Sequence, residues 1–137
     1  MTDEKINKIA GCLWGGKFEN IDFNMRKNEI NLNICMHYAT GKEFHCLSFI
    51  GVSTFYYVND SKKYRTQISD MEPEYDFDFT SLNYVENIKI DVSHHTYDWM
   101  ERYSAEVNVY IEVWEKVLFI ECTGMKLDGK IYNFSEE

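Results

Sequence analysis

Apolar residues recur along this chain with two different periods, and the change between them separates a short helical start from a long β-forming remainder. Ile6, Ile9 and Leu13, with Ala10 and Trp14, follow helical spacing. Thr2 suits the N-cap, and Asp3 and Glu4 suit the positive end of the helix dipole. Gly15 and Gly16 end the element, because glycine tolerates the left-handed conformation of a C-terminal cap. The pattern predicts a helix over residues 2–14, with Cys12 on its core side.

From Lys17 onward the period is two. Ile21, Phe23 and Met25 alternate with Asp22 and Asn24, and Ile30, Leu32, Ile34 and Met36 alternate with Asn31, Asn33, Cys35 and His37. Half-buried strands are expected over 18–25 and 29–38, joined by the polar link Arg26, Lys27, Asn28. A third strand is expected over 43–52. With residues 39–42 as the loop, Tyr38 pairs with Glu43, Leu32 with Phe49, Ile34 with Leu47 and Cys35 with Cys46, so the apolar faces coincide.

Residues 55–58 continue the sheet, and 59–71 read as a loop. Residues 74–80 alternate Tyr75, Phe77 and Phe79 against Asp76 and Asp78, and 84–92 give another strand through Val85, Ile88 and Ile90. Residues 94–101 break the pattern as a loop or a helical turn. The most regular alternation follows over 103–114, in Ala105, Val107, Val109, Ile111 and Val113. A turn at Glu115 and Lys116 leads to 117–124 and sets Val113 against Leu118, Ile111 against Ile120 and Val109 against Cys122. Asp128-Gly129 has the composition of a tight hairpin turn, with a last edge strand over 131–134.

About eight strands linked mainly by hairpins, after one helix, predict a mainly β (α+β) fold. The sheet is expected to be mostly antiparallel and curled into an open barrel or a sandwich. No crossover helices separate the strands, which excludes a parallel α/β arrangement. The 137 residues, 45% hydrophobic with one proline, suit a single domain over 1–137, its hairpin-rich sheet spanning 17–134.

Composition narrows the partners. The net charge of −9 is uneven: residues 1–69 carry +2 and residues 70–137 carry −11. Such a field disfavours nucleic acid and anionic membrane and steers a basic partner inward. The polar start and the short apolar runs give no leader or membrane span, so a cytoplasmic location is expected. Cys12, Cys35, Cys46 and Cys122 are widely spaced, without a Cys-x-x-Cys pair, and are expected as thiols; the Cys35–Cys46 register is the one place for a disulfide to be tested.

Catalytic motifs are absent: there is no Gly-x-Ser-x-Gly, phosphate loop or His-Glu-x-x-His. No cofactor is expected. His94 and His95 lie between Asp91 and Asp98, but adjacent histidines on a strand point to opposite sides, so they are weak metal candidates and a surface loop is the expectation. The acidic pairs provide an alternative enzyme reading only if they converge in a cleft. His37 and His45 are expected as structural strand residues.

Two places combine acids with aromatics. One is the run Asp70, Glu72, Glu74, Tyr75, Asp76, Phe77 and Asp78, and the other is the reverse face of the long hairpin, with Tyr110, Glu112, Trp114, Phe119 and Glu121. Carboxylates and ring faces together recognise Lys and Arg through ion pairing and cation–π contact.

The order of features over residues 18–38, followed by Leu47, Phe49, Gly51 and Val52, resembles the YxiG-like domains of Gram-positive bacteria and other immunity-type proteins: a short helix, an aliphatic hairpin and a Phe-x-Gly-Val-like step. The resemblance implies a protein that neutralises a toxin inside the cell, and it carries no site residue over. The expected function is a non-enzymatic interaction domain for a basic protein, with dimerisation through a sheet edge as a further possibility for its assembly. The alternatives are a small-ligand-binding β-barrel and an enzyme with a carboxylate or histidine site.

Overall fold

The structure, a computed structural model, describes residues 3–59, 79–90, 97–113 and 116–134. Helix α1 covers Asp3–Leu13, and nine described strands follow: β1 Lys17–Asn24, β2 Glu29–Tyr38, β3 Gly41–Ile50, β4 Thr54–Asn59, β5 Phe79–Ile90, β6 Ala105–Val113, β7 Lys116–Glu121, β8 Gly124–Leu127 and β9 Lys130–Asn133. A short 3-10 helix, Asp98–Tyr103, precedes β6. The fold is mainly β, with two antiparallel sheets in the orders β1-β2-β3-β8-β9 and β4-β7-β6-β5. Among the described residues these sheets do not close into a barrel.

The two sheets share a corner. β3 passes into β4 at residues 51–53, and β7 passes into β8 at residues 122–123, so one bent two-stranded ribbon belongs to both sheets. Thr123 N–H donates to Ile50 O at 3.0 Å and Ser53 N–H to Glu121 O at 2.9 Å across the bend. Gly51 makes the bend possible: its φ is +62°, and a side chain there would run into Thr123. The expected strand over 117–124 is therefore two strands in different sheets. Its unbroken apolar pattern hides the bend, because both halves keep facing the same core.

Each sheet contributes inward rows to one core. Ile30, Phe49 and Met125 form a row across the first sheet, next to Leu32 and Leu47. Val109 and Ile120, with Ile111 and Leu118, face them from the second. Ile6, Ile9 and Leu13 of α1 join this core, and the helix packs beside β5. Gly15 ends the helix at φ +78°. Cys12 and Trp14 are exposed, correcting the expectation of an inward Cys12: it lies on the flank of the helix, roughly 100° around the axis from Leu13, while Trp14 follows the last helical residue.

Both expected hairpin registers are displaced by two residues. Tyr38 pairs with Gly41 around a two-residue turn, which sets Leu32 against Leu47 and Ile34 against His45. Cys46 lies opposite Asn33, not Cys35, and all four cysteines are free. Likewise Val113 pairs with Lys116, so Ile111 meets Leu118 and Val109 meets Ile120. A shift of two leaves every side chain on its expected face, since alternation specifies register only modulo two.

Residues 79–80 and 84–90, expected in separate strands, belong to the single β5, with an irregularity between Tyr84 and Ile88. Residues 74–78 of the first expectation lie outside the described residues. The Asp128-Gly129 turn has both residues at positive φ, 50° and 92°, as the tight hairpin requires. One expectation fails at β1: Ile21 and Phe23 have inward cross-strand partners but are each 46% exposed, because β1 is an outermost strand and the two sheets leave a cleft open at this margin.

Candidate functional site

The alternation that buries one face of β6 and β7 fixes what the other face displays. Reading the registers across the second sheet gives outward rows: Tyr56 of β4, Phe119 of β7, Tyr110 of β6 and Asn83 of β5, beside Val58, Val117, Glu112 and Ser81. The ring centroids of Tyr56 and Phe119 are 6.1 Å apart, and those of Phe119 and Tyr110 are 6.2 Å apart. Tyr56 at the margin is 49% exposed, and Tyr110, Phe119 and Glu112 are half-buried. Three neighbouring rings, inclined to one another by 29° and 40°, thus form a ladder across three strands.

Glu112 and Glu121 border this ladder, and neither forms an ion pair among the described residues. Glu121 already has a structural task. Its Oε1 accepts from the Ser53 hydroxyl and from Thr54 Oγ1 at 3.3 Å, and its Oε2 accepts from Glu106 N–H at 3.2 Å. It ties β4, β7 and β6 together at the ladder's end, which leaves Glu112 the freer carboxylate. The outer face of the first sheet differs in kind: Ser48 donates to Asn31 at 2.6 Å, and Asn33 donates to Asn20, an ordinary polar ladder.

Of the residues singled out in the sequence, the structure brings Tyr110, Glu112, Phe119 and Glu121 together on one face. Trp114, the acidic run Asp70, Glu72, Glu74, Tyr75, Asp76, Phe77 and Asp78, and the histidines His94 and His95 lie outside the described residues. Tyr56 was not singled out, because 55–58 is apolar at every position and shows no alternation from which to read its face. A second aromatic group also escaped the pattern: Tyr97 stacks on Trp99 at 6.1 Å and Trp99 meets Tyr103 edge-on at 5.7 Å, all exposed around the 3-10 helix.

The remaining titratable cluster is structural. His45 of β3 places Nδ1 2.6 Å from Asp128 Oδ2 and Nε2 2.8 Å from Glu43 Oε1. Both ring nitrogens are thus engaged by carboxylates, which spends the imidazole on tying β3 to the turn after β8. Cys46 is directed to the opposite side, its sulfur 3.6 Å from Ser48 Oγ, so no thiol meets the imidazole. Burial pushes the Cys122 thiol up to about 12, which makes it unreactive. Among the described residues no group of three or more His, Cys, Asp or Glu converges as a metal site, and no helix is long and apolar enough to cross a membrane.

Asp128 supplies a pH-dependent clamp between the β8–β9 turn and β3. Partial burial raises its carboxyl pKa, but the hydrogen bond from His45, the one from Cys46 N–H at 2.8 Å and the nearby His45 charge outweigh that and hold it below the usual value. A depressed folded-state pKa contributes stability that is fully present above the unfolded value of about 3.9 and is lost as pH falls through the folded one. The group is partly exposed, so the effect is at most about 1 kcal/mol. In urea unfolding, Asp128→Asn is expected to lower the midpoint at pH 6 and to converge with the wild type near pH 2. Parallel profiles at all pH values would refute the clamp.

A family model described as YxiG-like protein matches residues 6–132. Among curated proteins, none matches the chain.

Proposed function

From a chain that belongs to the YxiG-like protein family and presents an aromatic ladder beside free carboxylate, we propose a non-enzymatic domain that binds a basic protein, in the manner of an immunity protein neutralising a toxin. The observation that carries this reading is the outer face of the second sheet. Tyr56, Phe119 and Tyr110 offer large contact area at small entropic cost, and the outer face of a sheet suits a protein better than a small molecule. Glu112, within a chain of net charge −9, supplies the attraction for Lys and Arg, with cation–π contact available from the rings beside it. The acidic run 70–78 supports the same reading by its sequence alone.

The test is titration calorimetry with the product of the reading frame adjacent to this gene, repeated with surface variants. Tyr56→Ala and Phe119→Ala are each expected to weaken binding about tenfold or more, the scale of a central aromatic contact. Glu112→Lys is expected to slow association, with the largest effect at low salt. Full affinity in all three variants would sink the reading. So would turnover of a substrate by the purified chain that is lost on mutating the face.

A further inference from the structure

A second feature lies around the margin from that face. β1 is the outermost strand of the first sheet and β4 of the second, so among the described residues each has one side of its backbone without a neighbouring strand. Ile21 pairs with Leu32 and Phe23 with Ile30, while Phe55 pairs with Ile120 and Tyr57 with Leu118. Because those partners are core residues, all four side chains are inward by register, yet all four are exposed. Phe23 and Phe55 stack across the opening at 6.2 Å. Beneath them is a cleft of about 300 Å³ with apolar walls from Phe18, Ile21, Phe55, Tyr57 and Leu118.

We infer that this margin receives an extended basic segment of the protein partner, added as a strand along β1, with its alternate apolar side chains entering the cleft and its Lys or Arg residues meeting Glu19 and Asp22. An unpaired edge is satisfied by another strand, whose period of two drops every second side chain to the inner side, over the cleft. The intervening side chains fall on the outer side, where Asp22 stands beside Asn31, and Glu19 is exposed nearby. Charge selects the occupant. Glu19 and Asp22 are the exposed charges of β1, so a second copy of this edge would bring the same two acids to them, whereas a basic segment neutralises both.

This inference rests on the reading of a basic protein partner and adds where and how part of it is held. β4 connects the two surfaces, since Tyr56 lies on the outer face and Phe55 and Tyr57 on the inner one. One partner gripping this margin contacts both the ladder and the cleft.

The test uses a blocked peptide of alternating lysine and leucine, and a control of the same composition with the lysines and leucines in separate blocks. Fluorescence anisotropy is expected to show the alternating peptide binding about tenfold or more tightly than the control. Ile21→Lys and Asp22→Lys, both at exposed positions and checked for folding by circular dichroism, are each expected to weaken it by a similar factor. Amide hydrogen exchange in β1 is expected to slow when the alternating peptide binds. Equal binding of the two peptides, or unchanged exchange in β1, overturns the inference. A dimer in sedimentation with β1 already protected also overturns it, assigning the margin to a second copy. If the natural partner binds, loses affinity with Glu112→Lys, and leaves β1 exchange unchanged, the face reading stands and the strand-addition inference alone is refuted.

Discussion

Replacing Phe49 by alanine is expected to destabilise the fold by about 3–5 kcal/mol. Phe49 is fully buried at the centre of the first sheet, between Ile30 and Met125 in the same inward row. Its ring fills space that no neighbouring strand can close, because β2 and β8 are held on either side by their ladders. The loss therefore combines the transfer term with that of a cavity the sheets cannot collapse. Urea unfolding, with the slope checked for two-state behaviour, measures it. A loss under about 1 kcal/mol would show that the two sheets approach and refill the space, contrary to a rigid shared corner.

Gly51→Ala is expected to cost about 2–3 kcal/mol, by two separable routes. The φ of +62° is costly for any residue with a Cβ, at about 1–2 kcal/mol. The added methyl group also meets the Thr123 side chain on the neighbouring strand, at the point where both strands leave one sheet for the other. Thr123→Ala in the same chain should relieve the collision but not the backbone strain. The double variant is therefore expected to recover part of the loss, and thermal unfolding of the four proteins gives the coupling. Complete recovery would contradict the strain, and no recovery would contradict the contact at the corner.

These two positions also mark what could be read in the sequence. The inward faces of the strands were legible, because Ile30, Leu32, Ile34 and Val107, Val109, Ile111 alternate without a gap and all are buried, while the burial of Cys35 and Ser48 on the opposite parity was not. The hairpin registers were not, since moving a partner by two residues exchanges one inward side chain for another and alters no face. Nor was the corner visible. Residues 117–124 read as one strand although the ribbon changes sheet at 122–123, and Gly51 looks like any strand-end glycine until Thr123 is placed against it.

The candidate face was half legible for the same reason. Tyr110, Glu112, Phe119 and Glu121 stood out because they sit at alternate positions opposite an apolar set, which is unusual for a solvated surface. Tyr56 was hidden within the uniformly apolar 55–58, and its place in the ladder came only from its pairing with Phe119. The open margin at β1 was invisible, since the alternation of Ile21 and Phe23 states which way they point and not how closely the facing sheet packs on them. Glu121 looked like surface charge, but the hydroxyls of Ser53 and Thr54 make it a tie between strands.

The function proposed above is one of contact with a protein partner, with the aromatic ladder at the centre of that contact. Side-chain accessibility of those rings is therefore the decisive quantity. Hydroxyl-radical footprinting of the chain, alone and with its protein partner, reads it residue by residue. The account predicts strong protection of Tyr56, Tyr110 and Phe119, while Tyr38 and Phe44, exposed on the first sheet, keep their free reactivity. Protection of Tyr38 and Phe44 with the ladder rings unchanged would contradict it.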